Sequence, residues 1–254
     1  MLDLRALLTR APESFRTISL QCEAEYRTAI LQREMLRGLP NVTESDPPST
    51  ATFVDPSGDD ATGADAPLRH EWNVWWRRPD CWRDDIVWAT DQIAVCIVRG
   101  AASSFYLSSS GTLRMNTGSP GTIERLRSMI QTRQPGYLPS IDDRLSQMPL
   151  VRPAPLANGW ELSELGEREY AGRTAIAVHA TRLGQSSPFG LWSYINEYDL
   201  LVDRERGVLL RCAGMVGRAE AGVLAVRYMT FDEPVSDEIF AFEPPPGTRT
   251  LIDR

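Results

Sequence analysis

The stretch that decides the fold reads HEWNVWWRRPDCWRDDIVW, from His70 to Trp88. It holds five of the chain's seven tryptophans, interleaved with arginines and broken once by Pro79. So many large rings in one run point to a nucleic-acid platform, a crowded core or a greasy binding cavity. Along 72–78, Trp72, Val74 and Trp76 alternate with Asn73, Trp75 and Arg77, which is the period of a β-strand, and Arg78 returns to the first face. A second strand starts near Trp82, where bringing Trp82, Ile86 and Trp88 to one side calls for a bulge. Apolar residues therefore fall on both faces. One face is expected to pack on other elements and the other to form an aromatic wall, with plain core as the competing reading.

The flanking segments extend this pattern in both directions. Upstream, Ile18, Leu20, Cys22, Ala24 and Tyr26 alternate with polar neighbours as a half-buried antiparallel strand does. That strand is expected to run on towards Leu36, although AILQREMLR fits a helix equally well. A short helix precedes it at Leu2–Leu8, closed by Pro12. Residues 39–67 are acidic and rich in Pro, Gly and Ser, too poor in apolar groups to offset their ordering entropy, and read as a disordered insertion. Downstream, strands are expected at about 92–99, 103–108 and 112–116. Residues 121–150 then turn helical, with Ile123, Leu126, Met129 and Ile130 at helical spacing behind a threonine cap. Strands resume at about 160–169, 173–182, 191–203, 207–217 and 222–232, with Asp203–Gly207 as a hairpin turn. The expected class is α+β, a single strongly curved antiparallel sheet of about eleven strands with one helical pair and a short N-terminal helix.

Composition removes several functions. The chain has 254 residues and a formal charge of -7, and all of its basic residues are arginine. A phosphate-backbone binder needs a positive footprint, so no nucleic-acid partner is expected. Cys22, Cys81, Cys96 and Cys212 form no CxxC pair, and the two histidines are far apart, so neither metal nor cofactor is expected. There is no nucleophile elbow, phosphate loop, dinucleotide fingerprint or zinc-protease motif, and the chain is read as not an enzyme. Asp84-Asp85 lie on opposite strand faces, Asp142-Asp143 lie near a helix start, and both pairs read as solvated surface. His179 has no acid near it in sequence. MLDLRALLTRAPESF is interrupted by Asp3, Arg5 and Arg10 and lacks a leader's apolar core, which as written implies a cytoplasmic protein. The longest apolar run, Ile93 to Val98, is too short to span a bilayer.

Three stretches together resemble a known family. WNVWWRRPDCWRDDI resembles the motif of the bacterial lipoprotein-carrier (LolA-like) proteins, an aromatic strand running into Arg-Pro, then an aromatic and another strand. YDLLVDRERGVLLRC (198–212) is similar to the family's Asp-containing hairpin, and VRYMTFDEPVSDEIFAFEPPPGTR (226–249) to its closing pattern. Phe240, Phe242, Pro244, Pro245 and Gly247 match that close in order and spacing. The related sigma-factor regulators (RseB-like) share much of the pattern. The resemblance implies one domain over 1–254, an unclosed β-barrel with residues 121–150 as a helical lid. It further implies a hydrophobic small molecule or acyl chain held between sheet and lid. Trp72, Trp76, Trp82, Trp88, Phe105 and Tyr198 would then line the cavity, with Arg78 as the latch on the lid. A protein partner is the alternative, on the pattern of the sigma-factor regulators, and the family's precedent is the cell envelope.

Overall fold

The computed structural model describes residues 3–27, 30–31, 67–89, 91–100, 102–116, 150–184 and 195–253. Two expected features lie outside these residues: the acidic insertion, apart from Pro67, and the 121–150 lid with Ile123, Leu126, Met129 and Ile130, apart from Leu150.

Two helices and twelve strands are described. They are α1 (Leu4–Arg10), α2 (Ala154–Ala157), β1 (Thr17–Tyr26), β2 (Leu68–Arg77), β3 (Cys81–Trp88), β4 (Ile93–Arg99), β5 (Ala102–Leu107), β6 (Thr112–Asn116), β7 (Trp160–Tyr170), β8 (Arg173–Arg182), β9 (Glu197–Asp203), β10 (Leu209–Val216), β11 (Ala219–Phe231) and β12 (Arg249–Asp253). The strands form one sheet in the order β12-β6-β5-β4-β3-β2-β1-β11-β10-β9-β8-β7, with β7 and β12 as its two edges, so it does not close into a barrel. The architecture is the expected α+β unclosed sheet. It has one strand more than the pattern suggested, because β12 adds to β6 in parallel register, Arg249 opposite Thr112 and Leu251 opposite Arg114.

The first compact unit comprises Met1–Pro12, Glu23–His70 and Pro149–Ala225. Asp3 starts α1 by accepting hydrogen bonds from the backbone N–H groups of Arg5 and Ala6 at 3.1 Å, the usual N-cap geometry. Leu4, Leu7 and Leu8 then fall on one buried face. Leu150, Leu156, Trp160, Ile195, Tyr198, Leu209 and Leu210 of the same unit are almost fully buried as well. The expected Asp203–Gly207 hairpin is present. Asp203 is 1% exposed and accepts from the backbone N–H groups of Glu205 (3.0 Å) and Arg206 (2.6 Å) and from Arg173. β1 ends at Tyr26, and Leu36, towards which it was expected to run, lies outside the described residues. Arg27 makes a last hydrogen bond to the Ala221 carbonyl, and the Leu31 N–H then bonds back to the Arg27 carbonyl at 3.1 Å, an i→i−4 helical contact.

The second unit comprises Glu13–Cys22, Glu71–Met148 and Val226–Arg254. Its centre is β4, buried at every position from Ala94 to Val98. Alternation sends neighbouring side chains to opposite faces, so both faces of the sheet are covered here. No bulge is needed in β3, because its register with β4 runs unbroken from Cys81 to Val87 and the even-numbered positions already share a face.

Gly207 closes the β9–β10 turn at φ +76°, and a Cβ there would stand 2.3 Å from the Leu7 carbonyl oxygen. Gly207→Ala is expected to destabilise the fold by about 2 kcal/mol or more, through strained backbone plus displacement of α1. Urea unfolding followed by far-UV circular dichroism measures it.

Candidate functional site

Cross-strand register sorts the second unit into two faces. Trp82, Asp84 and Ile86 of β3 sit opposite Val98, Cys96 and Ala94 of β4, which in turn face Ser103, Phe105 and Leu107 of β5. Trp88 shares that side by alternation. Trp72 joins it through its indole, which donates to Asp84 Oδ2 at 3.2 Å, while Trp82 donates to Asp84 Oδ1 at 3.1 Å. Val74 and Trp76 follow Trp72 by alternation, and all three are buried. Five of the six candidate lining residues therefore share this tryptophan face. The sixth, Tyr198, is fully buried in the first unit, with its ring 5.5 Å from that of Trp160.

The face is graded. Trp82 is fully buried, Trp72 and Trp76 are nearly so, and Phe15 packs edge-on against Trp76 at 5.2 Å and tilted against Phe231 at 5.3 Å. Further along, Ile86, Trp88, Phe105 and Leu107 are only half-buried. A continuous apolar strip thus runs from sealed interior to partly open surface. Asp84 corrects the expectation of a solvated pair. It does point away from Asp85, but it is 1% exposed beneath the rings. A carboxylate is tolerable there because the two indoles hydrogen-bond it. Asp85 takes a bidentate pair from Arg83 at 2.8 and 2.7 Å on the opposite face.

That opposite face is covered by the chain's own C-terminal segment. Val235 and Phe240 pack with Cys81, Val95, Ile97, Tyr106 and Leu113, and Ile239, Phe242 and Trp75 lie at the margin. Two arginines of the tryptophan stretch hold this strap. Arg77 donates to the Val235 carbonyl (3.0 Å) and to Asp237 (2.5 Å), with its guanidinium 5.0 Å from the Phe240 ring. Arg83 donates to the carbonyls of Ile239 (2.8 Å) and Ala241 (3.3 Å) and lies 5.6 Å from the Trp75 ring. The hydrogen bond between Arg77 and Asp237 raises the arginine's pKa and lowers the carboxylate's.

Arg78 is exposed, with its guanidinium 5.7 Å from the Trp76 ring and its N–H on the Arg16 carbonyl at 3.0 Å. The residues that sequence reasoning missed are its neighbours Arg77 and Arg83, whose odd numbering on β2 and β3 was the available signal. His70 stacks on Tyr26, and burial holds its pKa down to about 4.

Conventional chemistry finds little footing. The four cysteines are buried and none is in a disulfide, and no group of three or more His, Cys, Asp or Glu among the described residues is placed to hold a metal. His179 does have an acid partner, on the next strand rather than nearby in sequence: its Nδ1 lies 2.8 Å from Asp199 Oδ1. Ser163 stands opposite His179 on β7, but among the described contacts it donates no hydrogen bond to that ring.

No protein-family model matches the chain. None of the curated proteins matches its sequence. Among solved structures it is similar to MucB, at 15% identity and a TM-score of 0.50, covering 96% of this chain and 68% of that one. The fold is LolA/RseB-like. Other structures with this LolA/RseB-like likeness are the lipoprotein LppX of Mycobacterium tuberculosis (12% identity, TM-score 0.44, 92% and 97% covered) and a LolA superfamily protein of Nitrosomonas europaea (10%, 0.31, 95% and 99%). MucB has also been solved as the Pseudomonas aeruginosa MucA/MucB complex, of which the matched chain is covered to 62% at 15% identity and a TM-score of 0.47. Within the described residues no helix is long and apolar enough to cross a membrane.

The two faces can be tested separately. Arg83→Ala removes the donors to two strap carbonyls and leaves Asp85 without its bidentate partner; a loss of about 1–3 kcal/mol in urea unfolding is expected, with faster proteolysis near 235–242. On the tryptophan face, Trp82→Phe deprives Asp84 of one donor and is expected to lose about 1–3 kcal/mol. The Trp76 indole N–H is buried with no hydrogen-bond partner, so Trp76→Phe is expected to stay within about 1 kcal/mol of wild type. Parallel denaturation curves of the two variants decide.

Proposed function

We propose that this chain is a non-enzymatic binding protein that holds an apolar ligand, the acyl chain of a lipid or lipopeptide, along the tryptophan face of its second unit. The observation that carries this reading is the half-buried strip Ile86, Trp88, Phe105 and Leu107, which shares a face with the buried ring of Trp82 and, through the common bond to Asp84, with that of Trp72. Each methylene moved from water onto such a surface is worth about 0.8 kcal/mol, so a sixteen-carbon chain offers roughly 13 kcal/mol before ordering costs. Affinity of that kind requires no catalytic group and no metal. Rigid rings suit the task because they supply area while losing little side-chain entropy. By the resemblance to the lipoprotein-carrier family, Arg78 is the residue that would latch a lid over the ligand.

A second reading, a protein-binding module, is favoured by one observation. Edge strand β7 is exposed along most of its length, with Leu165 58% exposed at a register shift between Glu164 and Gly166. An unpaired strand edge accepts a partner strand by main-chain hydrogen bonding.

The experiment is uptake of an environment-sensitive apolar dye by mildly delipidated protein. Enhanced dye emission and its reversal by long-chain fatty acids are expected, with dye affinity reduced about tenfold or more in the Trp88→Ala/Phe105→Ala double variant. Absence of dye uptake by folded wild-type protein would sink the carrier reading and leave the protein-binding one.

A further inference from the structure

Among the described residues no strand lies beyond β7, which runs for 11 residues as one edge of the sheet. Every position from Ser163 to Glu169 is exposed. Which of its main-chain groups face outward follows from its neighbour β8. Residues opposite one another in an antiparallel pair turn their N–H and C=O groups either towards each other or both away. The Thr174 carbonyl accepts from the Arg204 N–H at 3.0 Å and the Arg182 N–H donates to the Asn196 carbonyl at 2.8 Å, so both of these β8 residues face the β9 side. Their β7 partners, Glu169 and Trp160, therefore turn their own groups to the open edge, and by alternation so do Glu167 and Leu162. The same register sorts the side chains. Glu164, Glu167 and Glu169 stand opposite Val178, Ile176 and Thr174, alternate residues of β8, and so share one face; the shift between Glu164 and Gly166 takes up the extra residue. Arg168, the one basic residue of β7, stands opposite Ala175 on the other face. Arg204 pairs with Glu167 at 3.1 Å, and the Thr174 hydroxyl donates to Glu169 at 2.8 Å. Both contacts are exposed, where such pairs contribute little and yield to a better partner.

We infer that β7 is the docking edge for an extended segment of a partner protein that carries arginine or lysine at every second position. The inference rests on the protein-binding reading and adds the partner's conformation and the sign of its charge. The outward main-chain groups of Leu162, Glu167 and Glu169 supply the ladder, which any extended chain could use. The three carboxylates choose among such chains. They follow the two-residue step of a strand, so basic residues that alternate along the partner all come to lie beside them. A second copy of β7 is the wrong occupant, because its own Glu164, Glu167 and Glu169 would come to the same face, and like charges opposite one another oppose pairing. Charge on an edge strand is a common guard against self-association. Here the charge on one face is of one sign, so it excludes copies and acidic strands and favours a basic one. The net charge of -7 draws such a partner from a distance in the same sense.

The test uses the full chain and short labelled peptides in which threonine alternates with arginine, glutamine or glutamate. A peptide of alternating arginine and proline has the basic peptide's charge but cannot pair as a strand. Fluorescence anisotropy is expected to show the arginine–threonine peptide binding about tenfold tighter than the glutamine–threonine one, with the glutamate–threonine and arginine–proline peptides weaker still. Amide exchange read by NMR locates the contact. The N–H groups of Glu167 and Glu169, which face outward, are expected to exchange about tenfold more slowly with the arginine–threonine peptide bound, while those of Gly166 and Arg168, which face β8, keep their rates. Glu167→Arg/Glu169→Arg, at two exposed positions, is expected to reverse the ranking and make the glutamate–threonine peptide the tightest. Equal binding of the arginine–threonine and glutamine–threonine peptides would overturn the proposal and leave the protein-binding reading standing. An arginine–proline peptide that binds as tightly as the arginine–threonine one would overturn it too, because the contact would then be charge without a strand. So would a ranking that the double substitution leaves unchanged. Failure of every peptide to bind would remove both.

Discussion

A strand that is apolar at every position but its last has to be covered twice. β4 carries Ala94, Val95, Cys96, Ile97 and Val98 in succession, and pleating sends them alternately to the two sides of the sheet. Neither side can be left in water, so the second unit is organised around what covers each. On one side the cover is the C-terminal strap, with Val235 and Phe240 against Val95 and Ile97. On the other side it begins with the tryptophans themselves and with Phe15. The proposed binding surface lies where that second cover thins, at Ile86, Trp88, Phe105 and Leu107.

Polar groups in this arrangement fasten rather than react. Asp84 is a carboxylate under aromatic rings, and its two indole donors fix the tilt of Trp72 and Trp82 as much as they satisfy the acid. Arg77 and Arg83 work in a similar way on the far face, each using its planar fork on main-chain carbonyls while lying against an aromatic ring. The stretch WWRRPDCWR therefore serves both faces at once, rings to one and guanidinium groups mostly to the other. The exception is Trp75, which pairs with Arg83 on the strap side.

Most of the architecture was legible in the sequence because it is written in period two. Alternation in Thr17–Tyr26, the turn at Asp203–Gly207 and the Trp72–Val74–Trp76 face can be read without coordinates, and the LolA/RseB-like fold followed from three short stretches in order. What was not legible depends on partners distant along the chain. Asp84 reads as surface until Trp72 and Trp82 are seen to converge on it. His179 has its acid twenty residues away, brought opposite by the β8–β9 register. β12 has only five residues and is defined by its parallel neighbour β6. The odd positions of Arg77 and Arg83 can be read locally, but the carbonyls they reach lie about 150 residues downstream, and no local pattern names those.

The placement of β1 has a kinetic consequence. The first strand of the chain lies between β2 and β11, and the last strand completes the edge beyond β6. Ladders between such remote segments form only after large loops have closed, which slows the search for the native state and prolongs the life of half-built sheets. A nascent chain would hold Ile18, Leu20 and Cys22 without their β11 neighbour until Ala219–Phe231 had been synthesised. Slow closure of the β1–β11 ladder, with half-built sheet exposed meanwhile, is thus written into the connectivity.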